Sequence, residues 1–169
     1  VQAEGTSATV LRYDQAADAW GAVADMPIAR RQHAAVAIQD RYIFVTGGVD
    51  RQEDVLNSVS RYDADTDVWD EVAIMTVPRN MHAAVALGDH VHVLGGFLGG
   101  FPAGTATHVR YSPDADAWED LPAMPTARGH LAAVSLDDQL YAIGGVVQRH
   151  HSAVVERYTA ATRTWETLA

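Results

Sequence analysis

The chain has 169 residues, contains no cysteine and carries a net charge of −10. The absence of cysteine excludes disulfides, thiolate metal sites and a cysteine nucleophile, and the acidic charge disfavours binding to nucleic acid phosphates. No apolar run approaches the roughly 20 residues that a membrane span needs, so we expect no membrane insertion. All basic residues are arginines, so any anion site here would use planar guanidinium donors.

Four sequence markers recur along the chain with a period near 49 residues. A tyrosine followed seven residues later by a tryptophan begins at Tyr13, Tyr62, Tyr111 and Tyr158. A methionine followed four residues later by an arginine begins at Met26, Met75 and Met124, and an Ala-Ala-Val segment follows each of these arginines. Gly-Gly pairs lie at 47–48, 95–96 and 144–145. Independent markers that share one period indicate an internal repeat.

Each repeat predicts four short strands. The first is the Ala-Ala-Val segment, the second ends in Gly-Gly, the third ends in Arg-Tyr and the fourth begins at Trp. In chain order they predict a half-blade over 1–29, with a third and a fourth strand alone, and complete blades over 30–78, 79–127 and 128–169. One small sheet cannot bury both faces, and stacking sheets around an axis solves this. We therefore predict one all-β domain, a β-propeller of about 3.5 four-stranded antiparallel blades.

The combination of these four markers resembles the Kelch repeat family and covers nearly the whole chain. The resemblance implies a propeller in which the first strand of each blade lines a central channel and the fourth lies outermost. It also implies that the fourth-to-first and second-to-third loops emerge at one end of the disc. We call this end the mouth face, and the opposite end the turn face.

A partial propeller leaves unpaired edges and apolar faces that associate or aggregate. By the register of the repeat, the chain begins immediately after a Gly-Gly pair that it lacks. Two explanations stay open. The chain is a fragment of a longer protein, which we favour, or copies of it self-associate into one assembled ring. In such a ring each half-blade would supply only a third and a fourth strand, so two half-blades could not complete one blade.

Arginines are concentrated in the predicted mouth-face loops, and aspartates dominate the turn face. We therefore expect an arginine-rich mouth that attracts carboxylates, phosphates or acidic peptides. Arg30, Arg79 and Arg128 stand once per blade before the inner strand. The resemblance implies that such arginines ring the pocket of Kelch propellers that bind acidic peptides. A structural role stays open, because an arginine can equally bond loop carbonyls or a neighbouring blade.

Six further residues complete the predicted ligand-binding set. Arg31 follows the first repeat arginine, while His33, His82 and His130 lie at or near the start of inner strands, where they could line the channel. Phe97 and Phe101 belong to the longest loop, 97–107. An exposed apolar loop beside cationic side chains suits contact with a partner. The alternative, that the loop folds over the channel mouth, stays open.

Other motifs predict structure rather than chemistry. His90 and His92 point to one face of a strand, as a metal pair would, but their repeat partners are aromatic or amide residues, so we expect core packing. The calcium-loop-like segment 63–67 lacks the required Gly and Glu further on, and its aspartates suit turns. The arginines that precede the repeat tyrosines are expected to pair with turn aspartates. No catalytic residue, metal ligand or cofactor is predicted.

We expect a binding scaffold for a protein segment or an anionic small molecule rather than an enzyme. No nucleophile–base pair or paired-carboxylate pattern recurs in the sequence. The Kelch resemblance leaves two alternatives. One is an enzyme, or part of one, similar to sialic acid mutarotase (N-acetylneuraminate epimerase), whose channel arginines hold a sugar carboxylate. The other is an assembly element that oligomerises into a closed propeller. The sequence predicts no compartment.

Overall fold

The computed structural model describes residues 5–99 and 103–168. These residues form β-strands joined by turns and loops, and no helix occurs among them. The strands make three four-stranded antiparallel sheets, a two-stranded sheet that precedes them, and a short two-stranded hairpin. The predicted all-β fold of about 3.5 antiparallel blades is therefore confirmed. In the described part of the chain, no helix is long and apolar enough to cross a membrane.

The strands follow the repeat closely. The half-blade holds β1 (Val10–Asp14) and β2 (Ala19–Val23). Blade 1 holds β3 (Ala34–Ile38), β4 (Tyr42–Thr46), β5 (Val59–Asp63) and β6 (Val68–Val72). Blade 2 holds β7 (Ala83–Leu87), β8 (His90–Leu94), β9 (His108–Ser112) and β10 (Ala117–Leu121). Blade 3 holds β11 (Ala132–Leu136), β12 (Gln139–Ile143), β15 (Val155–Thr159) and β16 (Thr164–Leu168). The hairpin of β13 (Val146–Val147) and β14 (His150–His151) is an addition that the repeat did not predict.

The first strands of successive blades lie side by side. Strand β7 contacts both β3 and β11, so the three inner strands follow one another around a common axis. Within each blade the strands pair in chain order. This order places the Ala-Ala-Val segments innermost and the tryptophan strands outermost, as the sequence predicts.

Apolar side chains from adjacent blades interlock to form the core. Interface 1–2, between blades 1 and 2, buries Ile38, Phe44, Val59, Met75, Val91, Val93, Val109 and Tyr111. Interface 2–3, between blades 2 and 3, buries Ala83, Val85, Leu94, Leu121, Met124, Leu131, Leu140, Ala142 and Tyr158. Burial of this apolar area is the main force that holds the blades together.

The repeated tyrosine and tryptophan lie opposite each other in every blade and also tie neighbouring blades together. Tyr62 pairs in register with Trp69, and their ring centroids are 5.1 Å apart. The Trp69 indole Nε1 then donates to the Ala24 carbonyl of the half-blade, at 2.8 Å. The indoles of the next two blades donate to equivalent carbonyls. An aromatic ring that also satisfies its polar atom is well suited to a blade boundary.

A turn aspartate joins adjacent blades at the same boundary. Asp67 Oδ1 accepts from the Tyr62 hydroxyl, at 2.8 Å, and from the Ala24 backbone N–H, at 2.8 Å. Asp116 repeats both bonds one blade later, with Tyr111 and Ala73. The sequence predicts these aspartates as turn formers, and their bond to the preceding blade was not anticipated.

The arginines that precede the repeat tyrosines pair differently from the prediction. Three of the four bond to acids directly across the sheet, on the outermost strand, rather than to turn aspartates; the pairs are Arg61–Asp70, Arg110–Glu119 and Arg157–Glu166. The antiparallel register places each of these acids opposite its arginine. Cross-strand proximity therefore decides the pairing.

Candidate functional site

The Gly-Gly turns at the mouth face press against the next blade. Gly47 and Gly48 have φ values of +56° and +98°, in the left-handed region that favours glycine. The Gly48 N–H donates to the Arg79 carbonyl oxygen at 2.9 Å, and a Cβ on Gly47 would lie 2.4 Å from that oxygen. Gly95 and Gly96 repeat this contact with the carbonyl of Arg128. The backbone carbonyls of Arg79 and Arg128 are thus docking points between blades.

The side chains of the repeat arginines lie inside the blades. Arg30 is 2% exposed, and Arg79 and Arg128 are fully buried. Arg30 Nη1 donates to the carbonyls of Gly47, at 3.0 Å, and Ser58, at 3.3 Å. Its Nη2 donates to the hydroxyls of Ser58 and Ser60. These bonds hold the loop between the second and third strands closed.

The other two blades bury the same guanidinium with different partners. Arg79 Nη1 donates to the Gly95 carbonyl, at 3.0 Å, and to Thr107 Oγ1, at 2.9 Å. Burial lowers the pKa of Arg79 to about 10, so it keeps its charge at neutral pH. Arg128 forms a buried ion pair with Glu156 Oε2 at 2.9 Å and also donates to three carbonyls. We therefore assign all three arginines a structural role, and the predicted ring of ligand-binding arginines is not formed at the mouth.

The remaining charges at the mouth face are mixed. Arg31 is partly exposed and bonds to Glu53. The described mouth loops carry three arginines and four acids that are at least partly exposed: Arg31 with Arg51 and Arg149, and Asp25 with Asp50, Glu53 and Asp54. Accessible arginines are therefore not in excess at the mouth face, because the three repeat arginines lie inside the blades and acids occupy the same loops.

The predicted histidines occupy two different environments. His82 is 6% exposed, its Nε2 lies 2.7 Å from Thr46 Oγ1 of blade 1, and burial lowers its pKa to about 3. His33 is half-buried, and burial followed by the charge of Arg30 lowers its pKa. His130 is exposed, with its ring 5.8 Å from that of Phe97. His82 thus joins two blades, and of these three histidines His130 is the one with an exposed side chain.

A continuous collar surrounds the start of the inner strands. Gln32, Met81 and His130 occupy equivalent places in successive blades, one residue before the positions of His33 and His82. The Met81 N–H donates to the Gln32 carbonyl, and the His130 N–H donates to the Met81 carbonyl, at 2.9 and 2.8 Å. Each collar residue has a positive φ, which turns its backbone away from the strand. The sequence prediction named His130 but missed Gln32 and Met81, because the residue types differ; the common spacing of 49 was the available signal.

The long loop does not present Phe97 to solvent. Phe97 is 2% exposed, and it packs on Gly129, where an added Cβ would lie 2.3 Å from the ring. The loop thus folds onto the next blade, and the expectation of an exposed Phe97 is wrong. The neighbouring Leu98 is 42% exposed. The predicted site residue Phe101 lies outside the described residues.

Two depressions lie beside the collar. One, of about 200 Å³, is lined by Arg31, Gln32, Glu53, Asn80, Met81 and Phe97. The Asn80 side-chain amide bonds to the Gln32 amide oxygen at 3.0 Å on its wall. The other, of about 370 Å³, is lined by His130, Val146, His151 and Ser152. Among the described residues, no group of three or more His, Asp or Glu side chains is arranged to hold a metal ion.

Comparison with known proteins agrees with this architecture. A solved structure titled "Structure of YjhT" superposes with a TM-score of 0.84 over 96% of this chain, at 19% sequence identity. The chain spans 59% of the length of that structure. No curated protein matches the chain. The family profile described as "Kelch motif" matches residues 30–76 and 127–169, just over half of the chain. The chain therefore belongs to the Kelch-motif family.

Proposed function

We propose that this chain is a binding scaffold that recognises a protein segment at the collar of the mouth face. The observation that carries the proposal is the row of exposed or half-exposed Gln32, Asn80, Met81 and His130 between two depressions. Amides and an imidazole offer both hydrogen-bond donors and acceptors, which suits the backbone of an extended peptide. A Kelch propeller supports binding in general, since its loops are held by a rigid scaffold.

The same geometry favours a peptide of mixed polarity over an anionic small molecule. An anionic small molecule at the mouth needs a cluster of guanidinium groups that solvent can reach. The three repeat arginines are buried and bonded within their own blades, which leaves the partly exposed Arg31 next to the acidic Glu53. The fold is compatible with the mutarotase alternative, but the three buried arginines are not placed to hold a sugar carboxylate.

Selection from a displayed library of random peptides tests the proposal. We expect enrichment of peptides that bind the native chain but bind the Q32A/N80A/H130A variant at least tenfold more weakly. A matched control is R51D, which changes an exposed mouth charge away from the collar. Peptides that bind the Q32A/N80A/H130A variant as well as the native chain would refute recognition at the collar. If only acidic peptides were enriched, the result would instead favour an anion-binding site at the mouth face.

Two exposed apolar faces favour a second candidate, the assembly element. Leu11, Tyr13 and Trp20 of the half-blade are 53%, 42% and 68% exposed. On blade 3, Val134, Leu136 and Ile143 are 49%, 59% and 40% exposed. In interface 1–2 the equivalent positions are buried or half-buried against the adjacent blade. Such faces mark a surface that another element covers.

We propose that the covering element is a set of further Kelch blades rather than a second copy of this chain. About 3.5 blades span 59% of the YjhT structure, so a ring of that size has about six blades of equal length. Two copies would supply more blades than such a ring holds. A polypeptide of about 2.5 blades fits the remaining space.

Light scattering of the isolated chain tests this second candidate. We expect open-ended association that depends on concentration and weakens in L136S and W20S. The control I74S changes a side chain that is 60% exposed but lies on neither apolar face. A discrete, stable dimer would favour self-association over further blades, and a monomer at all concentrations would argue against both.

A further inference from the structure

A groove opens at the turn-face end of interface 2–3, far from the collar. It has a volume of about 350 Å³. Its walls include His90, His92 and Arg110 from blade 2, and Asp138, Tyr158 and Arg163 from blade 3. The groove therefore gathers cationic and imidazole side chains from two blades at one boundary.

The groove arises where blades 2 and 3 depart from the pattern of interface 1–2. The equivalents of His90 and His92 in blade 1 are Tyr42 and Phe44. The Tyr42 ring lies under the guanidinium groups of Arg41 and Arg61, and Phe44 packs on Tyr111 with ring centroids 5.5 Å apart. Imidazole rings are smaller than phenyl and phenol rings. Histidines in place of Tyr42 and Phe44 therefore leave space in interface 2–3.

The same departure changes the charge of the boundary. The equivalent of Arg163 in blade 2 is Asp116, which accepts bonds from Tyr111 and Ala73. Arg163 instead donates from Nη1 to Glu119 Oε1 at 2.9 Å, and Arg110 bonds to the other oxygen of the same carboxylate. One carboxylate shared by two guanidinium groups leaves a surplus positive charge on this wall. Asp138 contributes an acid on the other side.

Contact with a second histidine fixes the His92 ring in place. His92 Nδ1 lies 2.8 Å from Nε2 of His108, and both rings are buried. The T-shaped packing of His108 on Tyr158, at 4.7 Å between centroids, locks the pair against blade 3. The rigid imidazole wall and the paired guanidinium groups thus form a preorganised polar surface.

We propose that this groove binds a small oxyanion, a phosphate or a carboxylate. The anion bonds to Arg163 and Arg110, whose two positive charges equal the combined charge of Glu119 and Asp138, and lies against the imidazoles of His90 and His92. Each guanidinium has five N–H donors, so Arg163 and Arg110 keep donors for an oxyanion while they bond to Glu119. Because Glu119 and Asp138 are acidic, we expect a dissociation constant in the millimolar range.

Titration of the native chain with inorganic phosphate and, separately, with acetate tests the proposal by NMR of the histidine side chains. We expect saturable shifts of the His90 and His92 ring signals at constant pH. Saturation by phosphate alone assigns the site to phosphates, and saturation by acetate alone assigns it to carboxylates. The R163D variant restores the aspartate of the repeat, and we expect it to weaken binding at least tenfold, whereas R163K keeps the charge and most of the binding.

The matched control R51D makes the same charge change at the mouth face and should leave the titration unchanged. Arg163 is 54% exposed, so its substitution should preserve the fold, which circular dichroism verifies. H90Y gives a second test, because it refills the groove with the tyrosine of blade 1. Unaltered binding in both R163D and H90Y would overturn the proposal, as would the absence of a saturable shift with either anion.

Discussion

Interfaces 1–2 and 2–3 place different chemistry at equivalent positions of one repeat. In interface 1–2, Phe44 and Val59 present an apolar surface to blade 2. In interface 2–3, His92 and His108 occupy these two positions and bond to each other. A buried polar group costs little when its partner is also buried. The repeat therefore conserves shape and lets pairs of neighbouring residues exchange apolar for polar contact.

The three buried arginines likewise keep one position in each blade while their side-chain partners differ. Blade 1 surrounds Arg30 with serine hydroxyls, blade 2 supplies Thr107 to Arg79, and blade 3 supplies Glu156 to Arg128. Each guanidinium also bonds to the carbonyl of the first glycine of its Gly-Gly pair. The carbonyl bond is constant because backbone geometry repeats, and the side-chain partner varies.

The largest expected effect comes from breaking the charged version of this contact. E156Q leaves Arg128 as an unpaired buried cation, so we expect a loss of about 3–5 kcal/mol in the free energy of unfolding. T107V removes a neutral partner from Arg79 and should cost less, about 1.5–3 kcal/mol. Urea unfolding of both variants measures the difference. Equal losses would show that the ionic and hydroxyl partners are interchangeable.

Alanine at the first glycine of each Gly-Gly pair separates backbone strain from the contact between blades. In G47A and G95A the new Cβ meets the next arginine carbonyl at 2.4 and 2.5 Å, in addition to a positive φ. We expect each to cost about 2–5 kcal/mol, as the sum of left-handed strain and overpacking. In G144A the nearest atom is Ser152 O at 3.4 Å. Strain alone then predicts about 1–2 kcal/mol.

Urea or thermal unfolding of the three glycine variants provides the measurement. Equal destabilisation of all three would show that strain dominates and that the close approach between blades contributes nothing. A larger loss in G47A and G95A alone would identify the arginine carbonyl as the docking point of both interfaces.

Acid should weaken both interfaces, with more protons taken up in interface 2–3. Burial lowers the pKa of His82 to about 3 in interface 1–2, and of His92 and His108 to about 3 and about 4 in interface 2–3. The pKa of an unfolded histidine is about 6.5, so below that pH the unfolded chain binds more protons than the folded chain. The stabilisation is complete above that pH and falls as the pH decreases toward the folded pKa values.

Substitutions with the repeat's own apolar residues remove this dependence. H82L introduces the leucine of blade 3, and H92F/H108V introduces the pair of blade 1. Each histidine removed should reduce the loss of stability on acidification by up to ~1.4 kcal/mol per pH unit. Unfolding curves between neutral pH and about pH 4 compare the variants with the native chain. Identical pH profiles would mean that these histidines are not neutral in the folded chain.

The sequence predicts the scaffold well because its markers contact each other in a fixed register. Tyr111 and Trp118 lie seven residues apart and meet across one tight turn, so their spacing alone indicates the strand pair. The burial of Arg79 could not be predicted in this way. Its partners Gly95 and Thr107 lie on a loop of variable length and are 16 and 28 residues away. The groove at His90 likewise could not be predicted from one position. It depends on His90, His92 and Arg163 all differing from the equivalent residues of the preceding blade.

The smallest expected effect concerns the exposed ion pairs at the outer edge of the two interfaces. Glu119 bonds to Arg110 in its own blade and to Arg163 in the next, whereas the equivalent Asp70 pairs with Arg61 within one blade. These side chains are partly exposed, so water and salt screen the attraction. A double-mutant cycle of E119A and R163A should give a coupling energy below about 1 kcal/mol that disappears at high salt. A coupling that survives high salt would mean that Glu119 holds blades 2 and 3 together in a desolvated contact, which would make the outer edge a further difference between the two interfaces.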